Sequence, residues 1–570
     1  MDTVAETLRK EISLDAPWAL VEAFAEQHRE RPSDADRGAQ MIADALGAMG
    51  VPVTLHRPTL FLSLPGDASV VAGGRTIAAK PPAFCASVPD GVEAPLVLVP
   101  QASGGTPLDR TPAAAERLSN VRGKIAVIEG FALPNFVAGL EAAGAAGVIA
   151  VNPGEMIHWG TVSTIWGTPE PADLARLPRI PSAAVNQSDG RALMDLAASG
   201  ATATIHTELE TGWFPQYIPV VEIPGAVQPE EFVLLHGHYD SWREGVGDNG
   251  TGNACMLEVA RILWAKRDHL RRSVRLAWWA GHSTGRYGGS AWYADTFALD
   301  LAENCVAHMN CDSPGCRWAT DYSSVSCMSE TERAVQEIVA DVTGQRATRK
   351  RPQRNSDYTF NNIGISACFM ASSMMTAEKR AEVGYYVVGG CGGNIAWHTE
   401  ADTLEIADKT VLQKDIALYL EAVQRFANDE IVPIDWRATS REFAETLATY
   451  QSAAGDVFDL SPAAEAVEAL TGALDRFSRA LEAEAIAPAS ANATNRALAR
   501  ILIPINYTRG PRFTHDPALN VPPLPTVAEA AALGTMPDDK IGFALTQLLR
   551  GRNRLVAALR EATRRVEAAL

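Results

Sequence analysis

Histidines and aspartates stand in this chain where apolar runs break into glycine-rich turns, and that pairing suits a borderline divalent cation. The run Phe232-Val233-Leu234-Leu235 leads into His236-Gly237-His238-Tyr239-Asp240-Ser241-Trp242, and Gly247-Asp248-Asn249-Gly250-Thr251-Gly252 follows shortly after. Neutral imidazole nitrogen and carboxylate oxygen are the donors that zinc and its neighbours accept. Ligands at strand C-termini also stand where open α/β sheets place their sites. Asp312, in His308-Met309-Asn310-Cys311-Asp312-Ser313, and His398, in Ala396-Trp397-His398-Thr399-Glu400, complete the pattern. One such residue alone reads as a cap or a satisfied polar group. Four that close strand-like runs read as metal ligands: His238, Asp248, Asp312 and His398. Asp240, on the His238 side of the strand, has two readings. It either orients the imidazole through a hydrogen bond in support of catalysis, or accepts a turn hydrogen bond at the strand end.

The elements that must position these residues alternate in type. Residues 15–50 carry two helical stripes, one of Trp18, Leu20, Val21 and Phe24, the other of Met41, Ile42, Ala45 and Leu46. From 57 to 205 the texture becomes short strands separated by Pro and Gly, with 95–100, 124–128 and 147–151 as strands and 140–146 as a short helix. Residues 206–430 alternate strands and helices, which predicts a mostly parallel sheet flanked by helices, an α/β fold. Beyond Trp436 the pattern is helical, with a Pro-rich break at 504–525.

Composition narrows the partners. A chain of 570 residues exceeds one core and predicts several domains. With 50 basic against 68 acidic residues and a formal charge of −18, nucleic acid and anionic membrane are excluded as expected partners. No run approaches the ~20 apolar residues of a membrane span, and the first residues lack a basic-then-apolar leader pattern. Eight cysteines without a regular framework predict free thiols in a reduced, cytoplasmic protein. Cys311, Cys316 and Cys391 read as small buried hydrophobes, with a thiolate ligand or nucleophile as the other reading. Gly389 to Gly393 read as a flexible loop over the site.

In these motifs the chain resembles the zinc aminopeptidase, glutamate carboxypeptidase II and transferrin receptor group of metallopeptidases. His238-Tyr239-Asp240-Ser241-Trp242 is similar to that group's His-x-Asp-Ser-Trp, and His398 stands in its His-Thr-x-x-Asp-Thr context. The resemblance implies Asp248 as a carboxylate bridging two ions about 3.5 Å apart, with Asp312 as a terminal ligand. Residues 1–56 and 206–435 would form the peptidase-like domain. Residues 57–205, with Gly123-Lys124-Ile125-Ala126-Val127 and Ala143-Gly144-Ala145-Ala146-Gly147-Val148, resemble its protease-associated insert. Residues 436–570 resemble its helical dimerisation domain, which implies a homodimer. The resemblance further implies a cis Asp248–Asn249 peptide. It also places Asp357 along the site, where an Asx-turn is the other reading, and Arg512 towards substrate, where surface placement is the other reading.

The chain departs from this group at one place. Peptide-cleaving members carry a Glu-Glu pair after a strand, a proton acceptor and a metal ligand. Here the frame Leu276-Ala277-Trp278-Trp279-Ala280-Gly281 leads into His282-Ser283. Trp397 stands where a tyrosine usually precedes the last histidine. Losing a ligand carboxylate predicts one firmly bound ion, zinc first, with manganese, nickel or iron compatible, and a second weak or absent. His282 reads as a proton carrier, a replacement ligand or a substrate contact; Ser283 and Trp397 read as substrate contacts. Phe369 to Met375, apolar where relatives carry arginines, point to an uncharged or aromatic small substrate. The expected function is a metal-dependent hydrolase of an amide or related C–N bond in a small molecule or short peptide. The alternatives are an inactive binding scaffold of the transferrin-receptor type, or iron-dependent or lyase chemistry on the same frame.

Overall fold

The computed structural model describes residues 4–99, 118, 120–369 and 373–570. Pro100 and the segment Met370-Ala371-Ser372, both part of the expectations above, lie outside the described residues.

Strand β1 (Thr54–His56) opens one sheet, and the chain then leaves it to build another. The second sheet comprises β2 (Thr59–Ala72), β3 (Arg75–Ala79), β4 (Val88–Leu98), β5 (Ile125–Glu129), β6 (Gly147–Val151), β7 (Ser182–Val185) and β8 (Thr202–Pro215). Their spatial order is β3-β2-β8-β4-β5-β6-β7. β8 continues past the expected limit at 205 because it pairs antiparallel with β2 as far as Thr59 opposite Pro215. The chain then returns to the first sheet with β9 (Ile218–Ile223), β10 (Gln228–His238), β11 (Arg272–Trp279) and β12 (Cys305–Asn310). With Ala367–Cys368 at the edge, the order is β1-β9-β11-β10-β12-(367–368).

β10, β11 and β12 are parallel, and β9 and β1 are antiparallel additions at one side. Helices cover the parallel strands, so these read as continuous apolar runs rather than alternating ones. Val233, Leu235, Val274 and Leu276 are wholly buried with Leu257 and Leu263 of the helix Thr251–Ala265. From β10 the chain crosses to β11 on one side, and then to β12 on the other. β10 is therefore the switch point of the sheet, and the crevice beyond its C-terminus is the place such sheets leave open. His238 is the last residue of β10.

The tail folds into the helices Trp436–Ala454, Ser461–Glu482, Pro488–Tyr507 and Asp538–Glu567 around a core that includes Phe443, Leu470, Leu502 and Leu559. Met328, Tyr358 and Ala367 of the α/β part share that core. All eight cysteines are buried and free. The segment 389–393 is not a loop over the site. Gly390 to Gly393 are buried in a tight turn, where a Cβ on Gly247 would lie 3.0 Å from the Cys391 Sγ.

Candidate metal centre

Three of the four expected ligands follow sheet strands or the turn after one. His238 ends β10, Asp312 follows β12, and Asp248 lies in the turn that starts the helix Thr251–Ala265. The Asp248–Asn249 peptide is cis. His398 departs from expectation, because no strand precedes it. It lies in an irregular turn with φ +59°, since the glycine-rich stretch before it coils instead of extending and the ring is held from outside the sheet.

The four side chains meet around Asp248. His238 Nε2 lies 3.0 Å from Asp248 Oδ1, and His398 Nε2 lies 3.2 Å from Asp248 Oδ2. Asp312 Oδ1 is 3.7 Å from His238 Nε2. Each imidazole has its other nitrogen committed: His238 Nδ1–H donates to the Asp240 carbonyl at 2.8 Å, and His398 Nδ1–H to the Trp159 carbonyl at 3.0 Å. These partners assign the tautomers and leave both Nε2 lone pairs aimed at carboxylate oxygens. His238 Nε2 and Asp248 Oδ1 are buried and make no hydrogen bond among the described residues. Two lone pairs facing each other at that distance need a cation between them, so the donor set fits a divalent metal.

The electrostatics agree. Burial opposes charge on His238, but Asp240, Asp248 and Asp312 outweigh it and hold the ring well above its usual range. Burial also works against the Asp248 carboxylate, and His238 and His398 reverse it and hold it well below the usual range. A field that favours a proton on His238 favours a metal ion in the same place.

His282 stands beside this set. Its ring stacks on His238 at 3.9 Å between centroids, and one of its nitrogens lies within 4.8 Å of the donor atoms of His238 and Asp312. His282 Nδ1–H donates to Asp357 Oδ2 at 2.6 Å, and Ser290 donates to Asp357 Oδ1 at 2.6 Å. Burial disfavours the Asp357 charge, but His282 outweighs it and keeps the carboxyl below its usual range. Asp357 is fully buried. It is therefore not the substrate contact expected from sequence, and bonds His282 and Ser290 instead.

Two further expectations need correction. The Asp240 carboxylate is 3.7 Å from His238 Nδ1, and the Asp240 backbone carbonyl takes that hydrogen instead. The carboxylate accepts the His282 backbone N–H at 3.0 and 3.2 Å and so fixes the turn that carries the histidine. Arg512 is not brought to the centre. Its guanidinium covers the Phe513 ring at 4.7 Å and lies near Arg500, which caps the Cys305 carbonyl at the start of β12, the end remote from the ligands. Ser283 lines a narrow cleft of about 10 Å³ beside His238, Asp248 and His398, room for about one water. Trp397 stacks on His398 at 3.8 Å.

Several supports escaped the sequence reading. Asp402 accepts the Gly247 and Asp248 N–H groups at 2.7 and 3.0 Å, and burial together with the Asp248 charge pushes its carboxyl up to about 7. Asn249 donates to the His238 and Cys311 carbonyls at 3.1 and 2.8 Å, joining the ends of β10 and β12. Buried Arg29 donates to the Tyr239 and Gly245 carbonyls. The spacing from His398 to Asp402 was the one usable signal among these.

Comparison with known proteins places this geometry. Residues 220–423 match the model of Peptidase family M28, and residues 92–193 match that of the PA domain. Carboxypeptidase Q of Mus musculus is 32% identical over 122 residues, 20% of this chain and 26% of that protein. Aminopeptidase NAALADL1 of Mus musculus is 27% identical over 155 residues, 26% of this chain and 19% of that protein. The chain thus spans about a quarter or less of the length of these relatives. Among solved structures, a peptidase M28 precursor from Shewanella amazonensis covers 75% of this chain and 97% of its own at TM-score 0.56 and 18% identity. A zinc aminopeptidase from Bacillus subtilis covers 74% and 94% at TM-score 0.52 and 20% identity. Both matches fall in order on this fold: residues 92–193 are similar to the PA domain, and residues 220–423, which hold His238, Asp248, Asp312 and His398, are similar to Peptidase family M28.

Proposed function

We propose that this protein is a metal-dependent hydrolase that cleaves an amide or related C–N bond of a small molecule or short peptide. The observation that carries the reading is the convergence of the His238 and His398 Nε2 lone pairs on the two oxygens of Asp248. The names of the relatives, a carboxypeptidase and an aminopeptidase, support the same class over the aligned stretch.

A divalent ion held here, zinc first, supplies Lewis acidity towards a carbonyl and makes water a stronger nucleophile. His238, Asp248 and Asp312 are the firmer set, and Asp248 with His398 is the weaker one. Asp357 holds the proton on His282 Nδ1, so His282 Nε2 is the basic atom beside the reacting carbonyl. It takes a proton from the attacking water and returns it to the leaving nitrogen. Asp357 stabilises the imidazolium formed in between. Ser283 and Trp397 border the cleft and the weaker set and contact the substrate. The helical tail forms a homodimer contact, an assignment supported by Phe543, 76% exposed on the last helix.

A second reading makes His282 a ligand in place of the missing carboxylate, favoured by its place within 4.8 Å of the His238 and Asp312 donor atoms. Elemental analysis of wild type and His282→Ala, with turnover on an amide panel, separates the two. Unchanged metal content with turnover reduced about 10²- to 10⁴-fold supports the proton carrier, and a lost metal equivalent supports the ligand. Wild type that takes up no metal rejects the hydrolase and favours the scaffold. Iron as the native metal favours the redox or lyase reading.

A further inference from the structure

We propose that the PA domain is part of the metal centre: Trp159, through its main chain, is the positioning residue that fixes the tautomer and orientation of His398. This rests on the metal-site reading above.

The segment 157–162 is bonded on both sides. Towards the PA domain, Ala83 N–H donates to the Gly160 carbonyl at 2.8 Å and Val162 N–H to the Ala83 carbonyl at 3.0 Å. Towards the peptidase half, Trp159 N–H donates to the His398 carbonyl at 2.9 Å, and the Trp159 carbonyl accepts His398 Nδ1–H at 3.0 Å. The second pair grips main chain and ring of the same residue, so the histidine can neither turn nor change tautomer without breaking it. Neighbours repeat the attachment. His158 Nδ1–H donates to the Trp397 carbonyl at 2.6 Å, and its Nε2 accepts the Tyr386 hydroxyl at 2.7 Å. Lys80 donates to the Ile157 carbonyl and to Glu400, both at 2.7 Å, with its ammonium 3.3 Å above the Trp159 ring. Trp159 stacks on Trp242 at 10° between planes, four residues beyond His238.

A partner on the far nitrogen of a ligating histidine typically changes metal affinity about 10- to 100-fold when removed. Because His398 has no strand beneath it, this segment from another domain does the orienting that the sheet does for His238. Coupling of this kind is reciprocal: if seating of the PA segment favours metal at His398, metal must favour seating of the segment.

Two measurements on the full chain test this. Zinc isotherms by competition with a chromophoric chelator are recorded for wild type, His398→Ala and Lys80→Met, with Lys124→Met, whose ammonium donates to Asn120, as the PA-domain control. Lys80→Met should weaken by about tenfold the zinc binding that His398→Ala removes, and Lys124→Met should match wild type. Amide exchange of wild type should show Trp159 N–H more protected with zinc than after chelation. Both must respond. A folded Lys80→Met with the wild-type isotherm overturns the proposal, as does His398→Ala with no loss of zinc or a Trp159 amide indifferent to zinc. If Lys80→Met does not fold, the wild-type exchange decides. No zinc uptake by wild type overturns the hydrolase reading as well, whereas zinc uptake with an indifferent Trp159 overturns this inference alone.

Discussion

Replacing Glu330 with glutamine isolates one buried ionisation at the joint between the α/β part and the helical tail. The Glu330 main-chain carbonyl accepts the Asp435 N–H at 2.8 Å. One carboxyl oxygen is 3.5 Å from the Thr439 hydroxyl, and the other makes no hydrogen bond among the described residues. Burial, with the Glu442 charge adding to it and its own backbone N–H, the nearby Ser366 and the Arg349 charge opposing it, pushes the carboxyl up from 4.5 to about 7. The folded state therefore holds this proton more tightly than the unfolded chain. Its contribution is fully present below pH 4.5 and is lost as pH rises to 7, because the native carboxyl must then ionise in a dry place. A rise of about 2.5 units corresponds to about 3 kcal/mol. Glu330→Gln keeps the shape and removes the proton linkage. Variant minus wild-type stability should therefore be flat below pH 4.5, rise by about 3 kcal/mol towards pH 7, and stay level above it. For a cooperative unit of about 150–250 residues that is about 6–12 °C in melting temperature. Paired melts of the metal-stripped proteins from pH 4 to 9 read it, and every other titrating group cancels in the difference. A difference curve flat across that range would show that the Glu330 carboxyl ionises without penalty and that the joint is wet.

Asp357→Asn should lose the charge-assisted bond to His282, about 2–3 kcal/mol, and lower turnover about 30- to 150-fold at unchanged metal content. Wild-type turnover in this variant would remove the pair from the mechanism. Sedimentation of the purified chain should give twice the monomer mass, and Phe543→Glu should shift it towards monomer. A wild-type monomer at micromolar concentration discards the dimer.

His238, Asp248 and Asp312 were legible in the sequence for a physical reason. Strands buried on both faces are apolar throughout, so a histidine or aspartate at the end of one stands out against its neighbours. His398 was found by its motif, but the strand expected before it does not exist, and what replaces that strand left no trace. Trp159 holds His398 through backbone atoms, across 239 residues of sequence, and any side chain could carry that carbonyl. Asn249 and Arg29 were missed similarly, since their partners are main-chain carbonyls. Asp357 was visible as a residue near the site, but its role depends on a backbone at φ +54° that turns the carboxylate under His282. Arg512 failed because an irregular segment after the helix Pro488–Tyr507 has no periodicity to fix its register.

On the proposed reading, in which His282 and Ser283 stand in place of a glutamate pair, charge is stored elsewhere. In the ordinary pair, one carboxylate binds metal and its neighbour takes the proton, so both negative charges face the ions. Here the imidazole stacks on His238, and the carboxylate of Asp357 accepts its Nδ1–H at 2.6 Å, wholly buried. With its Nδ1–H given to Asp357, His282 has its second nitrogen left for the proton transfer proposed above. The ligand carboxylates that remain are Asp248 and Asp312, whose combined charge balances one divalent ion and leaves a second uncompensated. The same change that removes a ligand from the weaker position therefore also removes the negative charge that would hold an ion there. On our reading, this makes one firmly bound ion the expected working state, with His282 supplying the proton transfer that the lost glutamate performed.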